Sequence, residues 1–336
     1  MKLDWKSQRT HRERGAVLIL TAVSMIAFLS FFALVVDLGY IFVTKSELQN
    51  TADSAALAAI LEIQNGEELA AQKAVDFGQA HQVAGSRISI AAEDIVFGHY
   101  DLALSQFIPA ELPLNAVQVT ARRTDDALSG PLPLIFAKLF GNDTSNVQAM
   151  SRAVLDTRIT GVDTGNKLLP YSVINSVVDA DGDGAFDVGN IVDVFPDSAA
   201  PGNFGFLDLD GGSNGTPDLR DWIEEGYDSE FIIPPGGSLE IPGNPGIHGA
   251  SLLNSFQTII DQVRFIPIHD HVSGSGNGAI YNVVAILAVR VRDVRLTGSQ
   301  SNRYINLEII SFSSSDLQID PDAPENNGLS VPRLAI

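Results

Sequence analysis

The 336-residue chain contains no cysteine. It can form no disulfide, and it offers neither a thiol nucleophile nor a Cys-ligated zinc site. Basic residues are few: 21 Lys and Arg stand against 41 Asp and Glu, a net charge of −20. Five of them, Lys2, Lys6, Arg9, Arg12 and Arg14, crowd into residues 1–14 with only Asp4 and Glu13 against them, so that segment is +3 and the rest of the chain carries −23. A body that acidic repels phosphate backbones, which argues against a nucleic-acid partner and favours divalent cations. The chain also lacks a Walker-type Gly-Lys-Ser/Thr, a G-x-G-x-x-G opening a helix and an H-E-x-x-H pair. No G-x-S-x-G of a nucleophile elbow is expected, and a carboxylate pair for glycoside cleavage stays open, so the chain reads as a non-enzyme.

Long apolar runs are lacking too, with one exception. Gly15 to Val36, GAVLILTAVSMIAFLSFFALVV, is 22 residues without a charge. As a helix rising 1.5 Å per residue it reaches about 33 Å, enough for the hydrocarbon core of a bilayer. It exceeds the roughly 7–15 residues of a cleaved signal's core, and no A-x-A site follows it, so an uncleaved, single-pass transmembrane helix over 15–36 is expected. The basic cluster before it puts residues 1–14 in the cytoplasm and the body outside. Membrane lipid is then one partner. Small residues along the run (Ala16, Ala22, Ser24, Ala27, Ser30 and Ala33) would let a partner helix approach closely. Asp37 reads as a polar marker at the outer interface.

The helical pattern continues past the membrane. Leu48, Ala52, Ala55, Ala56 and Ala59 share one stripe, and Asn65-Gly66 is a stop signal, so one helix is expected from about 15 to 64. A second follows over 67–82, with Leu69, Ala70, Val75 and Phe77 as a rough apolar face. The pattern then turns to strands at 87–90, 95–100, 116–122 and 147–155, with a short helix over 132–140 capped by Gly141. Residues 37–158 thus form a helix plus antiparallel sheet unit. From about 160 Gly, Pro, Asn and Asp become frequent. Residues 160–318 read as a β-rich domain with acidic Gly-rich loops, strands at 168–173, 191–195, 231–233, 264–269, 279–294 and 304–312, and helices at 217–226 and 252–263. Thr216 is the expected cap of the first helix, and Val283 to Arg292 the central buried strand. Residues 319–336 read as a flexible tail. The fold class is α+β.

The sharpest local motif is Asp179-Ala-Asp-Gly-Asp-Gly. Calcium takes six to eight oxygens, and alternate carboxylates in a Gly-bearing turn can converge on one ion. Asp179, Asp181 and Asp183 fit the first three ligand positions, Gly184 the sharp turn and Asp187 a fourth ligand. Asn190 stands where a full EF-hand has its bidentate Glu, and no helix pattern flanks the loop. The plain alternative is a solvated acidic turn. Asp208, Asp210 and Asn214 form a second acidic turn, read as structural. His269-Asp270-His271 could present two histidines to one ion from a strand, but a solvated loop is the expected setting.

Arg14-Gly15-Ala16-Val17, the apolar run, Val36-Asp37-Leu38-Gly39-Tyr40 and Glu47-Leu48-Gln49-Asn50-Thr51-Ala52-Asp53-Ser54-Ala55-Ala56-Leu57-Ala58-Ala59 resemble the N-terminal module of TadE/TadG-like proteins of bacterial tight-adherence (Flp) pilus assembly. Phe97 to Asp101 and Asn115 to Arg122 resemble the adjoining stretch of longer TadG-like members, and Gly202 to Gly212 with Asp221-Trp222-Ile223 a C-terminal region of some. The resemblance implies a pilin-like helix-on-sheet unit and an inner-membrane protein with a periplasmic body. It also implies other pilus-assembly membrane proteins as partners, met through the N-terminal helix. The position five after Gly15 is Leu20, where a prepilin cleavage signal has Glu, and the D-x-S-x-S metal site of some TadG-like proteins is not found. The alternative reading is a calcium-stabilised surface adhesin or binding module.

Overall fold

The structure is a computed structural model that describes residues 6–194, 204–212, 215–234, 236–244, 249–275, 278–299, 302–326 and 328–335. It is α+β: a long apolar N-terminal helix, then many strands in sheets. The chain divides into two compact units, residues 1–100 with 107–153 and 334–336, and residues 101–106 with 154–333.

In the first unit α1 runs Lys6–Leu61 without a break. It contains no proline, and Gly15 and Gly39 are its only glycines, so nothing interrupts the ladder. The helix starts earlier than expected, because the polar residues before Gly15 are also good helix formers. Beyond the apolar run it becomes one-sided: Leu48, Ala52, Ala55, Ala56 and Ala59 are fully buried. A short 3₁₀ turn over 63–65 and Gly66, at φ +113°, reverse the chain into α2 (Glu67–Ala80). Glu67 and Glu68 sit in the first turn of α2, where acidic side chains complement the helix dipole. The buried face of α2 is the expected one only at Ala70. Ala70, Ala74 and Gly78 are buried, whereas Leu69 and Phe77 are exposed. Small residues four apart let neighbours approach closely, and the side chain of Ile90 occupies the space where a side chain on Gly78 would stand.

Strands β1 (Ile95–Asp101), β2 (Ala116–Arg123) and β3 (Val147–Asp156) follow, with β2 between the other two. β1 and β2 are antiparallel, with Ile95 opposite Val119 and Gly98 opposite Ala116. Burial in β2 alternates from Val119 to Arg123, so one face meets the core and one meets solvent. Leu48 and Ala52 of α1 pack in one cluster with Ala121, Leu132, Val147 and Ala149. The expected helix over 132–140 is absent. Leu132–Pro133 pairs instead with Thr144–Ser145, and only Ala137–Phe140 turns, as a 3₁₀ helix ended by Gly141 at φ +89°. Pro131 and Pro133 exclude a regular helix over the first half of that stretch. The strand expected at 87–90 is reduced to Ser86–Arg87 in a tight hairpin with Gln82–Val83.

The second unit contains β4 (Ile159–Val162), β5 (Tyr171–Ile174), β6 (Ile191–Asp193), β7 (Phe204–Phe206), α3 (Thr216–Glu224), β8 (Phe231–Ile232), β9 (Leu239–Pro242), α4 (Gly249–Thr258), β10 (Val263–Ser273), β11 (Ile280–Arg295), β12 (Tyr304–Ile309), β13 (Leu317–Ile319) and β14 (Leu329–Ala335). The large sheet runs β6-β12-β11-β10-β5-β7, with β9 also on β11. A small sheet runs β8-β4-β13. The nearly continuous apolar run predicts the centre correctly: in β11 Leu287, Ala288, Val289 and Val291 are fully buried. Leu219 and Ile223 of α3 and Leu252 and Phe256 of α4 join this core. α3 is capped by Gly215 rather than Thr216, and the Asp218 carboxylate accepts the Gly215 N–H at 2.8 Å.

Residues 319–336 differ most from the sequence expectation of a free tail. Leu329 and Ser330 are buried, and β14 pairs in parallel with Phe312–Ser313. Asn326 fixes the approach: its amide donates to the Ile286 carbonyl at 2.8 Å, and its Oδ1 accepts from Gly328 N at 2.9 Å and Leu329 N at 3.0 Å. The short apolar run after a Pro- and Asp-rich stretch is enough for a strand once Asn326 has used its side chain to turn the backbone.

Candidate functional site

Asp37 follows the apolar run on α1, where side chains on the outward face have no cover. From Val17 to Val36 every large apolar side chain is exposed, and the helix is long and apolar enough to cross a membrane. Asp37 itself is 5% exposed. Its carboxylate accepts from Ile135 N at 2.9 Å, from Phe136 N at 3.2 and 3.0 Å (one bond to each oxygen) and from Ala137 N at 2.6 Å. An ionised carboxylate held this way needs no cationic side chain at contact distance. The interfacial marker read from sequence is thus also a clasp, closing a loop of about a hundred residues onto the end of the apolar run.

Two comparisons bear on this region. Residues 15–73 match the family of Flp pilus-assembly TadE/G-like proteins, and residues 48–153 match the family of Tad-like Flp pilus-assembly proteins. Together the two matches cover residues 15–153, so it is the N-terminal part of the chain that is similar to Tad-like Flp pilus-assembly proteins. Among curated proteins and among solved structures, nothing matched the chain. The Tad-like region takes in the apolar run, Asp37, α2 and the sheet that α1 packs against, and it ends within β3. Both families are described by a part in Flp pilus assembly.

Beyond the Tad-like region lies the acidic loop. Asp179, Asp181 and Asp183 are brought together, with a carboxylate oxygen of each within 4.8 Å of the others, so the trio could hold a metal ion. Asp187 is not one of that group; its Oδ2 accepts from Ala180 N at 2.9 Å. The backbone shapes the trio. Asp179 accepts from Gly182 N at 2.9 Å and Gly184 N at 3.2 Å, one bond per oxygen. Asp181 accepts from Asp183 N at 3.3 Å and Asp183 from Ala185 N at 2.8 Å, each through one oxygen. Gly182 and Gly184 both take positive φ, which the tight turn requires. The loop therefore presents the oxygens that a hard cation uses, on a frame that also stands as a set of Asx turns.

The second acidic turn has Gly211 N on Asp208 at 3.0 Å and Gly212 N on Asp210 at 2.8 Å; Asn214 lies outside the described residues. The sequence pattern gives no sign of the cavity that adjoins it. Asp210, Asp218, Asp221, Glu225 and Asp228 line this open cavity of about 350 Å³ against Trp222. Burial first, and then the charges of Asp210, Asp228 and Asp208, push the nearby Tyr227 hydroxyl up. The same stretch, Gly211-Gly212-Ser213-Asn214-Gly215, spells G-x-S-x-G, against the expectation of no such motif; Ser213 too lies outside the described residues. Nine residues separate the end of β7 from the start of α3, whereas an elbow joins its strand and helix by one sharp turn.

The histidines are neither a solvated pair nor a ligand pair. Both lie in β10, where a register shift separates them. His269 is fully buried, with Nδ1 2.7 Å from the Ser172 hydroxyl and its ring edge-on to Tyr281. His271 is exposed and bonds Asp270.

Proposed function

We propose that the chain is a single-pass, non-enzymatic component of Flp pilus assembly in the bacterial inner membrane. Residues 1–14 lie in the cytoplasm and 15–36 in the bilayer. Residues 37–158 and 160–318 are its periplasmic parts. The observation that carries this is the uncovered surface of α1 between Val17 and Val36. Each large apolar side chain left in water forfeits about 1.5–3 kcal/mol, and a run this long can recover that only in lipid or against other helices. The Tad-like match supplies the assembly role, and the basic cluster supplies the orientation. Small residues spaced along the run suit contact with other pilus-assembly membrane proteins.

The absence of cysteine makes topology direct to test. Ser7→Cys is expected to be shielded from an impermeant maleimide in spheroplasts, while Gln64→Cys on the body is labelled. The reverse pattern overturns the orientation. Deleting the gene is expected to abolish or reduce pili, and normal piliation counts against the assembly role.

A second reading, a calcium-stabilised binding module, is favoured by one feature: Asp181 and Asp183 each commit only one oxygen to the backbone frame. With Asp179, and with Asp187 close in sequence, they are the proposed ligands. Calcium at a hundredfold excess over its Kd would stabilise the fold by about 2.7 kcal/mol. A melting temperature unmoved by millimolar calcium removes this reading.

A further inference from the structure

We infer that the turn over residues 135–140 is a second membrane contact, an interfacial anchor clasped to the exit of the spanning helix, with the lipid headgroup–acyl boundary as its occupant. The inference rests on the reading that α1 is embedded. The turn carries Ile135, Phe136, Leu139 and Phe140, exposed to 44%, 37%, 75% and 69%, with Lys138 exposed beside them. Four bulky apolar side chains are thus exposed within six residues, Leu139 and Phe140 on the 3₁₀ turn Ala137–Phe140 and Ile135 and Phe136 just before it, and Leu139 and Phe140 leave most of their surface uncovered. Exposed leucines elsewhere in this unit, such as Leu112 and Leu128, stand apart in sequence and need no explanation.

Position decides what covers the turn. Asp37 holds the backbone of residues 135, 136 and 137 at 2.6–3.2 Å, so the turn sits level with Asp37 on α1. Twenty residues from Val17 to Asp37 rise about 30 Å, the thickness of the hydrocarbon core. The exposed apolar surface of α1 does not stop there: Leu38, Phe42 and Val43 are exposed at 44%, 70% and 57%. Lys45 is the first exposed charged residue along the helix after the run. From Val17 to Val43 the rise is about 40 Å, which takes in the hydrocarbon and part of the headgroup layer. The turn therefore continues an apolar surface already assigned to lipid, at the depth where aromatic rings and a lysine are at home. Asp37 acts as the positioning residue. Satisfied by backbone N–H groups, it tolerates that depth and fixes the turn there.

Single cysteines in the full-length, cysteine-free chain test this in vesicles of phosphatidylcholine and phosphatidylglycerol. Leu139→Cys, Phe28→Cys and Gln64→Cys are each labelled with an environment-sensitive fluorophore and quenched by lipids brominated near the headgroup or deep in the acyl chain. The expected result is deep quenching at position 28, none at 64, and shallow quenching at 139 at least about twofold above that at 64. Adding Asp37→Asn to the Leu139→Cys chain is expected to reduce that quenching toward the level at 64, while position 28 is unchanged. Quenching at 28 but not at 139 overturns the interfacial anchor and leaves the spanning helix standing. No quenching at 28 removes the spanning helix and the anchor with it. A label at 139 that stays in water at low protein density and becomes shielded only as density rises assigns the turn to a second copy of the chain, and overturns the lipid contact.

Discussion

The two units each bury an aspartate, and they neutralise it by different means. In the unit of residues 154–333, Asp156 is fully buried and meets Arg158 at 2.7 Å and Arg333 at 2.8 Å. In the N-terminal unit, Asp37 is almost as buried and, among the described residues, meets backbone N–H groups alone at hydrogen-bond distance. The first solution needs guanidinium groups, and it ties residue 156 at the start of its unit to residue 333 at the end. The second needs no charge of opposite sign, only a backbone bent so that three successive N–H groups converge. The second brings no further charge into the buried site, and so no further desolvation cost.

Glycine marks the same contrast, and there the largest effect is expected. Gly226 has φ +97°, and a side chain on it would run into the backbone of Asn166 and Lys167. Gly66 has φ +113° with open space around it. Strain and overlap together make Gly226→Ala cost about 3–4 kcal/mol, while Gly66→Ala costs about 1–2 kcal/mol from strain alone. Denaturant unfolding of the detergent-solubilised chain checks both. Equal costs would mean that the second unit is no more tightly built around its turns than the first.

Asp156→Asn sharpens the comparison next. Burial alone would raise the Asp156 carboxyl; bonds from the Arg158 side chain and backbone and from Arg333 outweigh it and hold the group below its usual range. A folded-state value below the unfolded one gives stability that is present above about pH 4 and lost as pH falls through the folded value. Asp156→Asn is therefore expected to cost about 3 kcal/mol at pH 7, and progressively less below pH 4. Melting curves of both chains across that range check it. A cost that does not change with pH would point to packing rather than charge.

Much of this was legible in the sequence where the signal is periodic or continuous. The stripe from Leu48 to Ala59, the alternation over 116–122 and the apolar run from Val283 each announce a buried face directly. The rest failed where a local feature meets a distant one. The α2 face escapes a sequence pattern in part, because Ala74 and Gly78 are buried by how near their neighbours come (Ile90 in the case of Gly78), and a pattern registers only hydrophobicity. Residues 329–335 look too short to pack because their partner, Phe312–Ser313, and the Asn326 turn that aims them carry no pattern. The acidic trio Asp179, Asp181 and Asp183 could be read because all its members lie within five residues. The partners of Asp37 could not, since about a hundred residues intervene and backbone N–H groups are the same whatever the side chain.

That last case yields the most local test. Asp37→Asn keeps the size of the side chain but replaces one acceptor oxygen with an NH₂ donor that faces N–H groups. Of the bonds to Ile135, Phe136 and Ala137, only those to the remaining oxygen survive, and they lose their charge. The core of the unit, Leu48 with Ala121 and Val147, is untouched, so global melting should hardly move. Hydrogen exchange should respond instead, with the amides of residues 135–137 opening on the order of tenfold more often while those of Ala116–Arg123 keep their protection. Exchange that quickens across the whole sheet would make Asp37 a structural keystone. Exchange confined to the turn leaves it what its geometry describes, a clasp between one loop and the end of the apolar helix.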